Sequence, residues 1–410
     1  MYNKNRIIEI VTVYATYLIY VFAGNLLISI RAVYLLSKGI TYFQLNSLDS
    51  FILICSFLLE IPTGVIGDRF GHKVSFQLAM LLKAVRFFFI PQVTSFYALV
   101  SLAFLAAIAD ACWSGSFTAW YIGKLKVTDT SSEHIALFSN MNIISSIAGI
   151  AAGFCGGYIS EWSIPFGYYI AAVLILVCTI VLYFIRDEEH KKQNLKDASQ
   201  EKSNSSNVTD IIIASKDFFL YADTAVLSIV VAMFLGYIAI SGIDNFWQPI
   251  ILQKTENRLA VLGYAWVFIR IGTLLSALAV KRSIVRMNVY LFRYLAIAVS
   301  ITALIITAVS QYWLVAAVAF ALHATAWVFF STLNDGVLYK HIPENAKATV
   351  LSALSMLYSV AGVIGLTAFG IIADYHLQWT FIAAALVMAA VFFCILILSL
   401  IHISEPTRPY

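Results

Sequence analysis

The sequence predicts an all-α integral membrane protein whose twelve transmembrane helices form two pseudo-symmetric six-helix bundles. Three observations carry that prediction. Of the 410 residues, 61% are hydrophobic and 12% charged, and the mean hydropathy is +0.86; soluble domains are nearer half apolar and a quarter charged. The apolar residues fall into runs of about 20, the length that crosses a bilayer as a helix and far longer than the strands of a barrel. One polar tract, DEEHKKQNLKDASQEKSNSSNVTD (Asp187 to Asp210), divides these runs into two sets of six, and it has too little apolar surface to fold.

In chain order, the first set runs near Ile7 to Ile30, Gln44 to Ile66, Val74 to Ile90, Phe96 to Ile122, His134 to Ile159 and Pro165 to Ile185. The first run is too long for a signal-peptide core and lacks a cleavage-like end, so it is expected to stay as a spanning helix. The second set runs near Thr224 to Ile250, Leu259 to Val280, Asn288 to Ser310, Tyr312 to Tyr339, Ala346 to Ala373 and Trp379 to Ile397. The expected domains are therefore 1–186 and 217–397, joined by a linker at 187–216. The segment VTDIIIASKDFFLYAD, which ends that linker and runs past it, mixes Ile211, Ile212, Phe218 and Phe219 with Lys216 and Asp217, as suits a short helix lying on the membrane surface. The tail LSLIHISEPTR resembles the in-frame translation of a transposase-type sequencing adapter, so 398–410 is set aside as an artefact.

Charge and motifs exclude several classes. The net charge of +4 is scattered between apolar runs rather than gathered in a stripe, which argues against nucleic acid. The five cysteines lie in apolar runs without metal-ligand spacing, so neither disulfides nor a metal site is expected. H-E-x-x-H, G-x-S-x-G and G-x-x-x-x-G-K-[ST] are absent, so neither an enzyme, nor an ATP-driven pump, nor a cofactor is expected. Lys and Arg concentrate in alternate loops, among them Lys4, Arg6, Arg69, Lys73, Lys281 and Lys340, and only Arg31, Lys38, Lys254 and Arg258 fall on the other side. That asymmetry places both termini in the cytoplasm of a cell whose plasma membrane the chain spans. A monomer is expected.

The halves repeat. AGIAAGFCGGYISE (Ala148 to Glu161) aligns without gaps on AGVIGLTAFGIIAD (Ala361 to Asp374) at an offset of 213, which also pairs Gly123 with Gly336 and Ser139 with Ser352. Small residues recur in membrane helices for packing reasons alone, but a constant offset points to duplication of a six-helix unit.

One stretch concentrates charge where little is found elsewhere: GVIGDRFGHK, Gly64 to Lys73. It closely resembles the signature loop of the major facilitator superfamily, G-x-x-x-D-R-x-G-R/H-K. Gly64 and Gly71 permit close backbone approach. The resemblance implies a cytoplasmic latch in which Asp68 accepts hydrogen bonds from the N-terminus of the eleventh helix, near Glu344 to Lys347, assisted by Arg69 and Lys73. The alternative is that these are ordinary loop charges. At the same offset the second half reads ALAVKRSIVR, Ala277 to Arg286, which keeps the basic residues and loses the acid. Glycines Gly149, Gly153, Gly156 and Gly157 are similar to the glycine motif of drug:proton antiporters, with Phe154 where that family has proline; close helix packing explains them equally.

Ionisable residues inside spanning helices cost several kcal/mol unless they face a cavity or a partner. In the family this chain resembles, helices 1, 4, 7 and 10 line the central cavity; here they carry Asn25 and Arg31, Asp110, Asp244 and Asn245, and His323. Asp110 and His323 are repeat mates at the 213 offset, as are Arg31 and Asp244. Asp110 and His323 are read as the proton-handling or cation-binding pair, with Asn25 beside them. The alternatives are a static salt bridge of Asp110 to Lys83 or Arg86, and a packing histidine. Arg31 and Asp244 are read as an outer-gate ion pair, with Arg270 competing for Asp244, or as separately solvated rim charges. Trp113, Trp120, Trp247 and Trp327 offer aromatic surface for a flat hydrophobic or cationic cargo, or pack. These residues predict a secondary transporter that expels a small hydrophobic or cationic compound in exchange for protons. Proton-coupled nutrient uptake is the competing transporter reading, and a lipid scramblase or membrane enzyme the competing class.

Overall fold

A computed structural model of the chain describes residues 4–114, 116–125, 131–185, 224–283, 289–342 and 347–404, with 213, 216 and 218. Among these residues all regular structure is helical. The long helices are α1 (Lys4–Asn25), α2 (Tyr42–Phe70), α3 (His72–Phe89), α4 (Phe96–Trp113), α5 (Ser131–Trp162), α6 (Ile164–Phe184), α7 (Thr224–Ile243), α8 (Ala260–Ser283), α9 (Val289–Val309), α10 (Trp313–His341), α11 (Lys347–Tyr375) and α12 (Leu377–Ser404). Among the described residues, eleven helices are long and apolar enough to cross a membrane, and the apolar part of α1, Ile10–Asn25, is shorter. The polar linker lies almost wholly outside the described residues, as does the end of the chain from 405.

Three spans expected to be continuous are broken. α1 stops at Asn25, whose side-chain amide turns back to the Val21 carbonyl at 2.8 Å, and the chain resumes as a short helix at Arg31–Leu36. Between them, the Ile28 and Ile30 N–H groups donate three residues back, to Asn25 and Leu27, the tighter winding that lets a helix end. α7 stops at Ile243 and resumes at Trp247–Leu252, and α4 gives way after Trp113 to Ser116–Leu125. Hydropathy averaged over a span does not show such breaks, because the polar residues at them, Asn25, Ser114 with Ser116, and Asp244 with Asn245, are too few to end the apolar run.

Contacts divide the chain into two compact units, one of residues 1–40, 48–203 and 257–267, the other of 41–47, 204–256 and 268–410. The first turns of α2 therefore cluster with the second unit, and the start of α8 with the first. Within the first unit α1 packs on α5 and α6, and α3 on α4 and α6. Within the second, α7 packs on α11 and α12, and α9 on α10 and α12. Each partnership in one unit is the repeat mate of a partnership in the other, so the 213-residue offset extends from sequence to packing.

Helix ends repeat as well. In the first unit Glu161, at the end of α5, accepts the Ala260 N–H that opens α8 at 3.2 Å. In the second unit its mate Asp374, at the end of α11, accepts the Tyr42 and Phe43 N–H groups that open α2 at 2.7 and 3.3 Å. A carboxylate satisfies orphan donors there and meets the positive end of the dipole. The carbonyls after α3 and α9 take lysines instead: Lys38 donates to Pro91 and Val93 at 3.2 and 2.8 Å, and Lys254 donates to Ser310. Burial pulls both ammonium groups below the usual lysine pKa.

Candidate functional site

Among the described residues of the first unit, α3 and α4 bring together a group of charges. Lys83 and Arg86, three apart on α3 and thus on one face, stand with Asp110 of α4, Asp49 of α2 and Arg31 of the Arg31–Leu36 helix. Among the described residues the salt bridge in this group is bidentate, from both Arg31 terminal nitrogens to the two Asp49 oxygens. Asp110 is exposed, and it feels Lys83 and Arg86 electrostatically without an ion-pair contact to either. Lys83 donates to the Tyr20 hydroxyl at 3.4 Å, and its ammonium lies 4.8 Å from the centre of the Tyr20 ring.

From Tyr20 an aromatic column runs between α1 and α4. Tyr20 stacks on Trp113 with centroids 4.4 Å apart, Trp113 on Phe117 at 4.4 Å, and Phe117 on Tyr17 at 5.2 Å, each pair within 15° of parallel. The spacing explains the order: Tyr17 and Tyr20 share a face of α1, and Trp113 and Phe117 are one turn apart across the α4 break. A small cavity of about 10 Å³ lies against this column, lined also by Val13, Thr16, Met80, Trp120 and Leu182. Leu26, in the α1 break, brings its carbonyl so close to Gly156 of α5 that any Cβ there would overlap it, so this glycine has a packing role whatever else it does.

The second unit holds the other expected residues. His323 is 2% exposed and bonded through Nδ1 to the Ser300 hydroxyl at 2.8 Å, with the Phe320 ring beside it. Asp244 is exposed at the α7 break, within electrostatic reach of Arg270. Its neighbour Asn245 is buried and donates to Asn46 at 3.0 Å, and Asn46 donates to the Gly242 and Leu366 carbonyls. Trp120, Trp247 and Trp327 are buried, which leaves Trp113 as the half-buried tryptophan of the four. Two acids not singled out from the sequence join these groups. One is Asp49; the other is Asp335 of α10, which lies near Tyr237 and the Tyr358 ring stacked on it at 4.7 Å.

The charged turn after α2 is partly described. Gly71 separates α2 from α3 with φ 95° and ψ 141°, a conformation open essentially to glycine alone. Gly64, expected to allow close approach, faces open space; Gly67 is the crowded one, against Ser116 and His72. Lys73 is buried and donates to the Tyr183 and Ile185 carbonyls, closing the end of α6. Arg69 is exposed, with its guanidinium over the Phe70 ring. The Asp68 side chain and residues 343–346 lie outside the described residues.

Residues 13–366 match the Major Facilitator Superfamily. The chain belongs to this family. A Bacillus subtilis relative described as an uncharacterized MFS-type transporter, YxaM, is 26% identical over 235 residues, 56% of this chain and 55% of its own. A probable nitrate/nitrite antiporter of Thermus thermophilus, NarK1, is 25% identical over 167 residues, 38% of this chain and 36% of its own. The chain thus spans about half, or less, of the length of these curated relatives. Among solved structures, the nucleoside transporter NupG superposes with a TM-score of 0.76 at 13% identity, over 97% of this chain and 99% of that one. A bacterial homologue of the iron transporter ferroportin gives 0.72 at 13% identity, over 96% and 99%. At such identities the likeness establishes the fold, that of the major facilitator superfamily. The family and these neighbours are transporters, not enzymes.

Proposed function

We propose that this member of the superfamily is a secondary active transporter working by alternating access, in which Asp110 carries protons and the adjoining aromatic column receives a small hydrophobic compound. The observation that supports this most is the open Asp110 carboxylate on a spanning helix, set among Lys83, Arg86 and Tyr20 and continuous with the Tyr20–Trp113–Phe117 stack. An ionisable group in that setting is costly to keep and is reachable for proton exchange. Export in exchange for protons, as in drug:proton antiporters, follows if neutral cargo and proton compete for one place. Lys83 and Arg86 disfavour the cationic cargo that the sequence also allowed. The same two cations favour a second reading, uptake with protons, because neutralising Asp110 leaves them uncompensated and ready for a negatively charged substrate.

Asp110 is favoured over His323 as the proton carrier, because His323 is enclosed and already bonded to Ser300. The test is substrate-dependent proton flux in proteoliposomes under an imposed pH gradient. Asp110→Asn is expected to abolish coupled flux. His323→Ala is expected to keep it while lowering stability by about 2–3 kcal/mol, through a cavity and an orphaned hydroxyl. Proton release on adding substrate selects exchange, co-movement selects uptake, and undiminished coupling in Asp110→Asn removes both readings. The same proposal places both termini in the cytoplasm and a monomer in the plasma membrane. It has Asp68 latch the cytoplasmic side, and it lets Arg31 and Asp244 close the outer side in competition with Asp49 and Arg270.

A further inference from the structure

We propose that Asp335 of α10 is a second proton-binding group, carried by the second unit, and that its protonated carboxyl donates to the Tyr358 hydroxyl. The inference rests on the proton-coupled reading above and adds to it a site that does not depend on Asp110.

The missing counter-charge is the first argument. Asp335 lies six residues before the end of α10, a rise of about 9 Å, within the apolar span Trp313–His341. Among the described residues it has no ion pair and no hydrogen bond, and no Lys, Arg or His acts on its charge. Asp110 differs, since Lys83 and Arg86 stand against it. Of the elements packed on α10, α9 brings Arg293, which donates to Asn334 instead, and the short helix Trp247–Leu252 has no ionisable side chain. The groups that feel Asp335 are Tyr237 of α7 and Tyr358 of α11. A carboxylate on a spanning helix without a counter-charge is costly, and taking up a proton removes that charge without any partner.

An orphaned hydroxyl is the second. Tyr358 stacks on Tyr237 with centroids 4.7 Å apart, Tyr237 stands edge to face with Trp327 at 5.5 Å, and any Cβ at Gly236 would overlap the Trp327 ring. The tyrosine rings are thus held in place from the α7 side. The Tyr358 hydroxyl is nonetheless buried without a hydrogen-bond partner, a loss of about 1–3 kcal/mol. A hydroxyl oxygen accepts from a protonated carboxyl, so one proton taken from water would remove an unmatched charge and satisfy an unpaired group together. Access is open: Asp335 is exposed, and no atom lies within 4 Å of where a Cβ would stand at the adjoining Gly336. The carboxyl can therefore exchange its proton on that side and turn to Tyr358 on the other.

The test is infrared difference spectroscopy between pH about 8 and pH about 6 on the purified full chain in lipid vesicles, with no cargo added. An aspartate open to water is ionised across that range. At the lower pH the wild type is expected to gain a protonated-carboxyl C=O band that Asp335→Asn lacks and Asp110→Asn retains. Tyr358→Phe is expected to keep that band and move it to higher frequency, as loss of a hydrogen bond does. This variant leaves the carboxyl in place, which guards against an asparagine variant that fails to fold. The proposal is overturned if the wild type and Asp335→Asn give the same spectrum, or if Tyr358→Phe leaves the band unmoved. Undiminished coupling in Asp110→Asn would remove the earlier reading alone, because the Asp335 band is read without transport.

Discussion

Arg31 and Asp49 have side chains 24% and 22% exposed, so their bidentate pair belongs between exposed pairs, worth under about 1 kcal/mol, and buried ones, whose disruption costs about 3–5 kcal/mol. Asp49→Asn is expected to cost on the order of 2 kcal/mol, read as a lower Tm of the purified protein, because it leaves Arg31 beside Arg86 with one counter-charge fewer. The double variant Arg31→Gln/Asp49→Asn is expected to recover most of that loss; a strictly additive loss would show that the pair is not coupled. The rule that singles out Asp110, an ionisable group inside an apolar run, applies equally to Asp49 and Asp335. What the sequence lacks is the partner: Asp49 lies eighteen positions from Arg31, and nothing in either local pattern points to the other. His323 shows the converse, since its type and its repeat mate suggest titration while its enclosure by Ser300 and Phe320 comes from tertiary packing.

Helices were legible because bilayer thickness writes their length into hydropathy; their interruptions were not. The α1 and α7 breaks fall inside AGNLLISIRA and SGIDNFWQ, where Asn25 and the pair Asp244 and Asn245 interrupt the apolar residues too briefly to lower the hydropathy of the span. Caps are a second feature that composition hides. Glu161 and Asp374 close the repeated segments from which the duplication is inferred, yet their role depends on helices distant in sequence. Among the described residues Asp374 accepts two N–H groups and Glu161 one. Asp374→Ala is therefore expected to cost about 1–2 kcal/mol and Glu161→Ala about half that. Thermal unfolding checks the order, and an equal or reversed order would show that the caps are not what differs.

The duplicated packing scheme is a property of the whole chain: α1 with α5 and α6 recurs as α7 with α11 and α12. Sequence exposes it only as a constant offset with few identities, because what is retained is which faces meet rather than which residues meet. The two compact units are nevertheless not simply the two halves of the chain. Residues 257–267 belong with the first, where Gly157 meets Ala260 and Gly263 closely and Gly153 meets Trp266. A fragment ending at residue 203 would expose that small-residue face to lipid or water. Expressed alone it is expected to be degraded or aggregated, and co-expression with residues 204–410 is expected to restore a stable complex on size exclusion. Full stability of the isolated fragment would show that the segment adds nothing to the first unit.

The column beside Asp110 has an optical consequence. Trp113 lies between the parallel rings of Tyr20 and Phe117, and Tyr20 carries the Lys83 ammonium on its other contact. An indole so placed emits at a wavelength set by the local field, so filling or emptying the adjoining space should shift its colour. The protein thus contains its own dye beside the place proposed for cargo, readable as the difference between the wild-type spectrum and that of Trp113→Phe.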